Sequence, residues 1–200
     1  MRAVTDKRLN IMICLITLAL AHGVLSYTLP ASFIVAEMVK YNHPSAPVYF
    51  QAATAKSGKL VVDSLVRKSD GRLFDVARDV PIFYWELIAL MAANDAAKMS
   101  QFLASADVDM TKVSHGLFHY EPVFIIGADP SNDRLPQLWV EKQSFLPVRV
   151  IFKDKAITFE QWTSLLGMPK TKYPRIIRIT VKDTVETITL VEKSAVLSGG

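Results

Sequence analysis

The chain has 200 residues, 50% of them hydrophobic and 21% charged, with a formal net charge of +4 and one cysteine. A chain of this length can bury a full core as one domain. One cysteine excludes the small disulfide-stapled scaffolds, and the small charge gives no field with which to steer an anionic partner.

Arg2, Lys7 and Arg8 make a basic start, Leu9 to Leu20 is an apolar run broken only by Asn10 and Thr17, and Ala19-Leu20-Ala21 is a small-x-small cleavage signal. That combination reads as a secretory signal peptide over residues 1–21. A membrane anchor is the alternative, but a spanning helix needs roughly 20 apolar residues and this run is shorter. Cys14 lies inside the run, ahead of the cleavage site, and Ile13 before it is not small, which argues against lipid attachment. Cleavage after Ala21 leaves 179 residues, a net charge near +2 and no cysteine. That removes thiol nucleophiles and thiolate metal sites from consideration.

Leu29-Pro30-Ala31-Ser32 precedes a run in which Phe33, Ile34, Met38 and Tyr41 fall near one helical face, with Glu37 and Lys40 off it. Ser32 is placed to cap this helix. Asn42-His43-Pro44 ends it, because proline disfavours a helical residue before it. Val48–Thr54 and Leu60–Val66 read as paired strands joined by Ala55-Lys56-Ser57-Gly58. Asp70-Gly71 signals a turn before a short third strand, Arg72–Ala77. From Pro81 to Ala104 the period becomes helical: Phe83, Trp85, Leu87, Ile88 and Met91 precede a break at Asn94-Asp95, and Met99, Phe102 and Leu103 follow. Two short helices of this kind would interrupt the sheet as a lid packed on it. A lid that opens is the sharper alternative, since methionine adapts to varied apolar partners.

Ser114–Ala128 reads as one strand, with Phe118, Tyr120, Phe124 and Ile126 on one side and Gly127 near its end. A three-strand meander follows: Leu138–Glu141, Leu146–Phe152, and a third strand carrying Ile157 and Phe159. Its turns fall at Gln143-Ser144 and Lys153-Asp154-Lys155. Alternation puts Val148, Val150 and Phe152 on an apolar face and Arg149, Ile151 and Lys153 on the other. Pro147 belongs at a strand start or on an edge. Gly167–Lys172 reads as a loop, Arg175–Lys182 as a strand with Ile177, Ile179 and Val181 on one face, and Thr187–Leu197 as the last strand. The sum is an α+β domain over residues 22–200, with about nine strands and three helices. Its antiparallel sheet must cover one apolar face with protein or with ligand.

His115 and His119 have the spacing of helical metal ligands but sit in a strand pattern, without the glutamate of a zinc-protease motif, so no metal site is expected. Asp107-Val108-Asp109 lacks the glycine and the further oxygen ligands of a calcium loop. No Gly-x-Ser-x-Gly, phosphate loop or dinucleotide fingerprint occurs, and no cofactor is expected. Glu121 and Glu160 lie on strands among aromatics with no spacing that suggests an acid–base pair. Arg149, Lys153, Arg175 and Arg178 read as a solvated outer stripe, with too few aromatics to point to nucleic acid. These absences point away from an enzyme. The large apolar surface points to binding of an apolar ligand, with a plain structural core as the alternative.

Leu138-Trp139-Val140-Glu141-Lys142 followed by Phe145-Leu146-Pro147-Val148-Arg149 resembles the leucine-tryptophan-aspartate-lysine, leucine-proline hairpin of LolA/LolB-like outer-membrane lipoprotein-sorting proteins. Tyr173-Pro174-Arg175 and the strand after it resemble the closing segment of that family, and the likeness spans Val123 to Val191. The resemblance implies a curved antiparallel half-barrel sheet with helices covering its concave face. It implies a non-enzymatic periplasmic carrier of lipoprotein acyl chains or other lipid. The further partners would be an inner-membrane donor protein and an outer-membrane acceptor protein. On that basis Phe124, Ile126, Val148, Val150, Phe152, Phe159, Ile177 and Ile179 would line the lipid-binding cavity, under a lid of Phe83, Trp85, Leu87 and Met91. Carriers of this family latch the lid with an arginine on an early strand. Arg67, Arg72 and Arg78 are the candidates by order, and none sits in a copy of the motif. A second expectation from the same fold is an envelope-stress regulatory sensor that grips a membrane partner protein. A third is a secreted hydrolase without a recognised motif.

Overall fold

The computed structural model describes residues 28–40, 48–56, 59–67, 73–75, 80–81, 95–152, 155–165 and 168–193. The expected signal peptide and the expected lid residues Phe83, Trp85, Leu87 and Met91 lie outside them. Helix α1 (Ala31–Val39) precedes strands β1 (Val48–Lys56), β2 (Lys59–Arg67), β3 (Leu73–Asp75) and β4 (Val80–Pro81). Helix α2 (Ala96–Ser105) follows. Then come β5 (Val113–Phe118), β6 (Glu121–Ile126), β7 (Gln137–Glu141), β8 (Pro147–Phe152), β9 (Lys155–Leu165), β10 (Met168–Val181) and β11 (Thr184–Lys193).

These eleven strands form one antiparallel sheet in the order β4-β3-β2-β1-β11-β10-β9-β8-β7-β6-β5. It is a meander from β5 to β11, where the first strand pairs with the last, Tyr49 opposite Lys193 and Lys56 opposite Glu186. The sheet is an open, curved half-barrel with β4 and β5 at its two edges. The α+β half-barrel expected from the resemblance is therefore the architecture found, with both helices on the concave face. The chain leaves the sheet at one edge, β4, and re-enters it at the other, β5, and α2 lies on that connection. Ten strand intervals at about 4.8 Å make an arc of about 48 Å. Within this connection, α2 packs on the concave face through Met99 and Leu103.

Both helices are explained by their burial stripes and ends. In α1, Ala31, Ile34, Val35, Met38 and Val39 are buried, the three- and four-residue spacing of one face. Phe33, expected on that face, is 46% exposed instead. The helix starts two residues earlier than expected, with Pro30 at its N-cap and no side-chain cap. Ser32 is thus already in the first turn, and the Pro30 carbonyl accepts the Phe33 and Ile34 amides at 3.0 and 3.2 Å. In α2 the cap is a side chain: Asp95 Oδ1 accepts from the Ala97 and Lys98 amides at 2.9 and 3.1 Å. The helix closes on Asp107, whose φ of 64° lets the Val108 amide reach the Leu103 carbonyl and the Asp107 amide the Ala104 carbonyl. That is a Schellman end, with the buried pair Leu103 and Val108 as its hydrophobic contact. Asp107 is thereby a helix stop.

Three departures from simple alternation matter for the site. The segment expected as one strand, Ser114–Ala128, is a hairpin of β5 and β6 turning on His119-Tyr120, with φ of 49° and 71°. Two successive positive φ values make a two-residue turn that matches strand twist, usually encoded by Asn-Gly. The turn reverses side-chain parity, so Phe118 packs with Val123, Ile125 and Trp139, on the face opposite Phe124 and Ile126. A β-bulge between β7 and β8 is the second departure: Trp139 opposes Arg149, but Val140 opposes Pro147, and Val148 is the extra residue. Gln161, with φ of 55°, is the third, and the next residue, Trp162, packs on the concave cluster. The expected loop Gly167–Lys172 is also corrected: β10 begins at Met168, with a register shift before Lys172. Pro174 stays in the strand opposite Trp162 of β9, while the ladder to β11 runs only from Ile176. A residue without an N–H can sit at that position because one side needs no donor.

Candidate functional site: the concave apolar face

The concave face is a single buried cluster. The sheet contributes Phe50, Phe124, Ile126, Leu138, Val140, Val150, Ile157, Phe159, Tyr173, Ile177, Ile179, Ile188 and Leu190. The helices contribute Ile34, Val35, Met38 and Val39 from α1, and Met99 and Leu103 from α2. Of the eight residues expected on this surface, the structure brings together Phe124, Ile126, Val150, Phe159, Ile177 and Ile179, each no more than 7% exposed. Phe152 lies on the same face, partly buried, its ring edge-on to Phe102 of α2 at 6.1 Å. Val148 does not join them. The bulge turns it to the outer face, where it packs with Val123, Ile125 and Trp139. Leu138, Val140, Ile188 and Leu190 belong to the same wall and follow from the alternation of their strands.

The roof over this wall is α1 and α2, which pack on one another as well as on the sheet. Of the arginines considered as latches, Arg67 ends β2, and Arg72 and Arg78 lie outside the described residues.

At the β5–β6 end the cluster grades into a half-open aromatic rim that periodicity did not reveal. Phe145, held at φ 53° in the turn between β7 and β8, stacks on Phe124 with centroids 6.1 Å apart. That turn is braced by the Ser144 hydroxyl, which donates to Glu141 and accepts the Leu146 amide. Phe33 of α1 meets Phe145 edge-on at 6.3 Å. Lys142 lies over the Phe124 ring at 5.1 Å, and the His115 ring lies 5.7 Å from it. His115 Nε2 is 3.4 Å from the Thr28 hydroxyl. Partial burial, with Lys142 adding to it, pushes the His115 pKa below its ordinary value. His119, in the hairpin turn, packs instead against Phe118. The two histidines therefore have different surroundings. Beside this rim a cavity of about 500 Å³ opens between the start of α1, Ser100 of α2, and Met110, Thr111 and Val113.

The outer face carries the small apolar cluster of Val123, Ile125 and Trp139, flanked by polar groups. Trp139 Nε1 donates to Gln137 Oε1 at 2.8 Å, and the fully buried Gln137 amide donates to the Asn132 and Leu135 carbonyls. Arg149, cross-strand from Trp139, lies over its ring at 5.3 Å. Arg178 binds Glu160 at 2.8 Å. Glu160 is thus an ion-pair partner on the side away from the cavity. The tryptophan of the family-like hairpin contributes to the convex side.

Among solved structures the fold is similar to that of a LolA superfamily protein from Nitrosomonas europaea, at 14% identity and a TM-score of 0.44, covering 82% of this chain and 92% of that one. It is also similar to a domain from Vibrio parahaemolyticus described as an outer membrane lipoprotein-sorting protein, at 11% identity and 0.45, covering 84% and 94%. A DUF1329 family protein from Desulfovibrio piger matches at 12% identity and 0.45, covering 82% and 92%. No family model matches the sequence, and no curated protein is significantly similar to it. Among the described residues no helix is long and apolar enough to cross a membrane. What the geometry itself offers is an apolar trough of sheet side chains under two short helices, with an opening at one end.

Proposed function

We propose that the protein is a non-enzymatic periplasmic carrier that shelters lipoprotein acyl chains, or another lipid, on the concave face of its half-barrel. The observation that carries this reading is the nature of the roof. Among the described residues the trough is covered by two helices of nine and ten residues, and by no second sheet. Such short helices have little stability of their own and are held by the apolar stripe they bury. For α1 that stripe includes Ile34, Val35, Met38 and Val39. At about 1.5–3 kcal/mol per buried side chain, lifting α1 costs about 6–12 kcal/mol. Burying acyl chain returns about 0.8 kcal/mol per methylene, so about 8–15 methylenes offset that cost. The empty closed form and the loaded open form then lie close in free energy, which is what loading and release both need. Cargo would be received from an inner-membrane donor and passed to an outer-membrane acceptor.

The direct test places a charge in the wall. Val150→Asp and Phe159→Asp should each abolish uptake of a long-chain fluorescent lipid by folded protein. Folded variants that still take up lipid as the parent does would remove the concave face from the mechanism.

A further inference from the structure

The cavity of about 500 Å³ at the β5 end has a divided lining. Its apolar side is Leu29, Met110 and Val113, and all three pack on the concave cluster. The lining also carries the hydroxyl residues Thr28, Ser32, Ser100 and Thr111, of which Thr28 lies 3.4 Å from His115 Nε2 and Thr111 donates to Asp109, and the described lining itself holds no ionisable side chain. A hollow of this size lies within the range of small-ligand sites, which runs from roughly 300 to 1,000 Å³. The apolar residues of the lining are continuous with the surface proposed to take acyl chain.

Resting on the carrier reading, we propose that this cavity is the mouth of the trough and the seat of the cargo's polar end. The chain enters between α1 and β5, past Leu29, Met110 and Val113. The hydroxyls of Thr28 and Ser100 hold an uncharged oxygen-bearing group, an ester or amide at the head of an acyl chain. A carboxylate finds no cation in the described lining and keeps its water at a cost in affinity.

Cys14, the chain's single cysteine, would leave with the signal peptide, so Ser100→Cys in the mature protein creates one reactive thiol at the mouth. Reaction with a bulky aromatic thiosulfonate plugs the cavity, and reduction clears it. The probe is a fluorescent long-chain monoglyceride, compared with the free fatty acid of the same chain. Plugging should slow uptake of the monoglyceride at least tenfold with an unchanged circular dichroism spectrum, and reduction should restore it. The unplugged protein should bind the monoglyceride at least tenfold more tightly than the fatty acid at neutral pH. Uptake that proceeds at the parent rate in a fully labelled protein would overturn the mouth. Equal affinity for ester and carboxylate would overturn the assignment of the polar end. Failure of the unlabelled protein to take up either lipid would overturn the carrier reading and this inference together.

Discussion

Competition between α1 and cargo for one surface makes a sharp test, because it separates stability from affinity. Ile34 is fully buried in α1 against the sheet. Ile34→Ala removes three heavy atoms from a packed site and should lower stability by about 2–5 kcal/mol. If loading requires α1 to leave, most of that loss falls on the empty closed form. A loss of about 3 kcal/mol then appears as a gain in lipid affinity of up to about 100-fold, since about 1.4 kcal/mol is a factor of ten. Ile177, 1% exposed in β10, is the control. Ile177→Ala should destabilise by a similar amount yet weaken binding, because its wall is used by helix and lipid alike. Urea unfolding gives the first quantity and equilibrium titration with a fluorescent acyl probe the second. If Ile34→Ala weakens lipid binding as Ile177→Ala does, α1 is a fixed part of the core and the competition does not exist.

Three further outcomes follow from local geometry. Val148→Asp, on the outer face because of the bulge, should leave lipid uptake within about twofold of the parent, whereas Val150→Asp two residues on should abolish it; equal effects would show that the two side chains share a face. Gly127 sits at φ 108°, and an added Cβ would lie 2.5 Å from the Pro136 carbonyl oxygen, so Gly127→Ala should cost more than about 1 kcal/mol in urea unfolding. Gly116→Ala meets only the movable end of Ile125 at 2.8 Å and should cost less. His115 should titrate below 6.5 by proton-detected NMR. A histidine with a depressed folded pKa binds its proton more readily in the unfolded chain, so its contribution is complete above 6.5 and falls as the pH drops below it. His115→Gln should remove that part of the acid sensitivity, and an unchanged pH profile would contradict the assignment.

Much of the fold was legible because the sheet is one-sided. Strict alternation across β8, β9 and β10 placed Val150, Phe159, Ile177 and Ile179 on the concave face, and the change of period after Pro81 located α2. What was not legible sits where backbone φ turns positive without a glycine. His119-Tyr120 makes a hairpin turn from residues that do not signal one, so β5 and β6 read as a single strand. The bulge that sends Val148 outward has no mark in a run of alternating valines. Phe145 carries no periodic signal for the rim, because its placement depends on φ 53° in a turn, not on strand parity. Ser32 fits a cap by residue type, but the helix begins at Ala31 with Pro30 as its N-cap, two residues ahead of a serine cap. The cavity rim had no sequence signal at all, since Thr28, Ser100 and Val113 converge from three separate segments.

The most direct measurement is photocrosslinking of the purified protein with a lipid whose acyl chain carries a diazirine, followed by mapping of the adducts by mass spectrometry. Carriage in the trough predicts adducts on Phe159, Ile177 and Leu190, displaced by an excess of unmodified lipid. Adducts confined to the outer face around Trp139 and Val148, or none that compete, would contradict it.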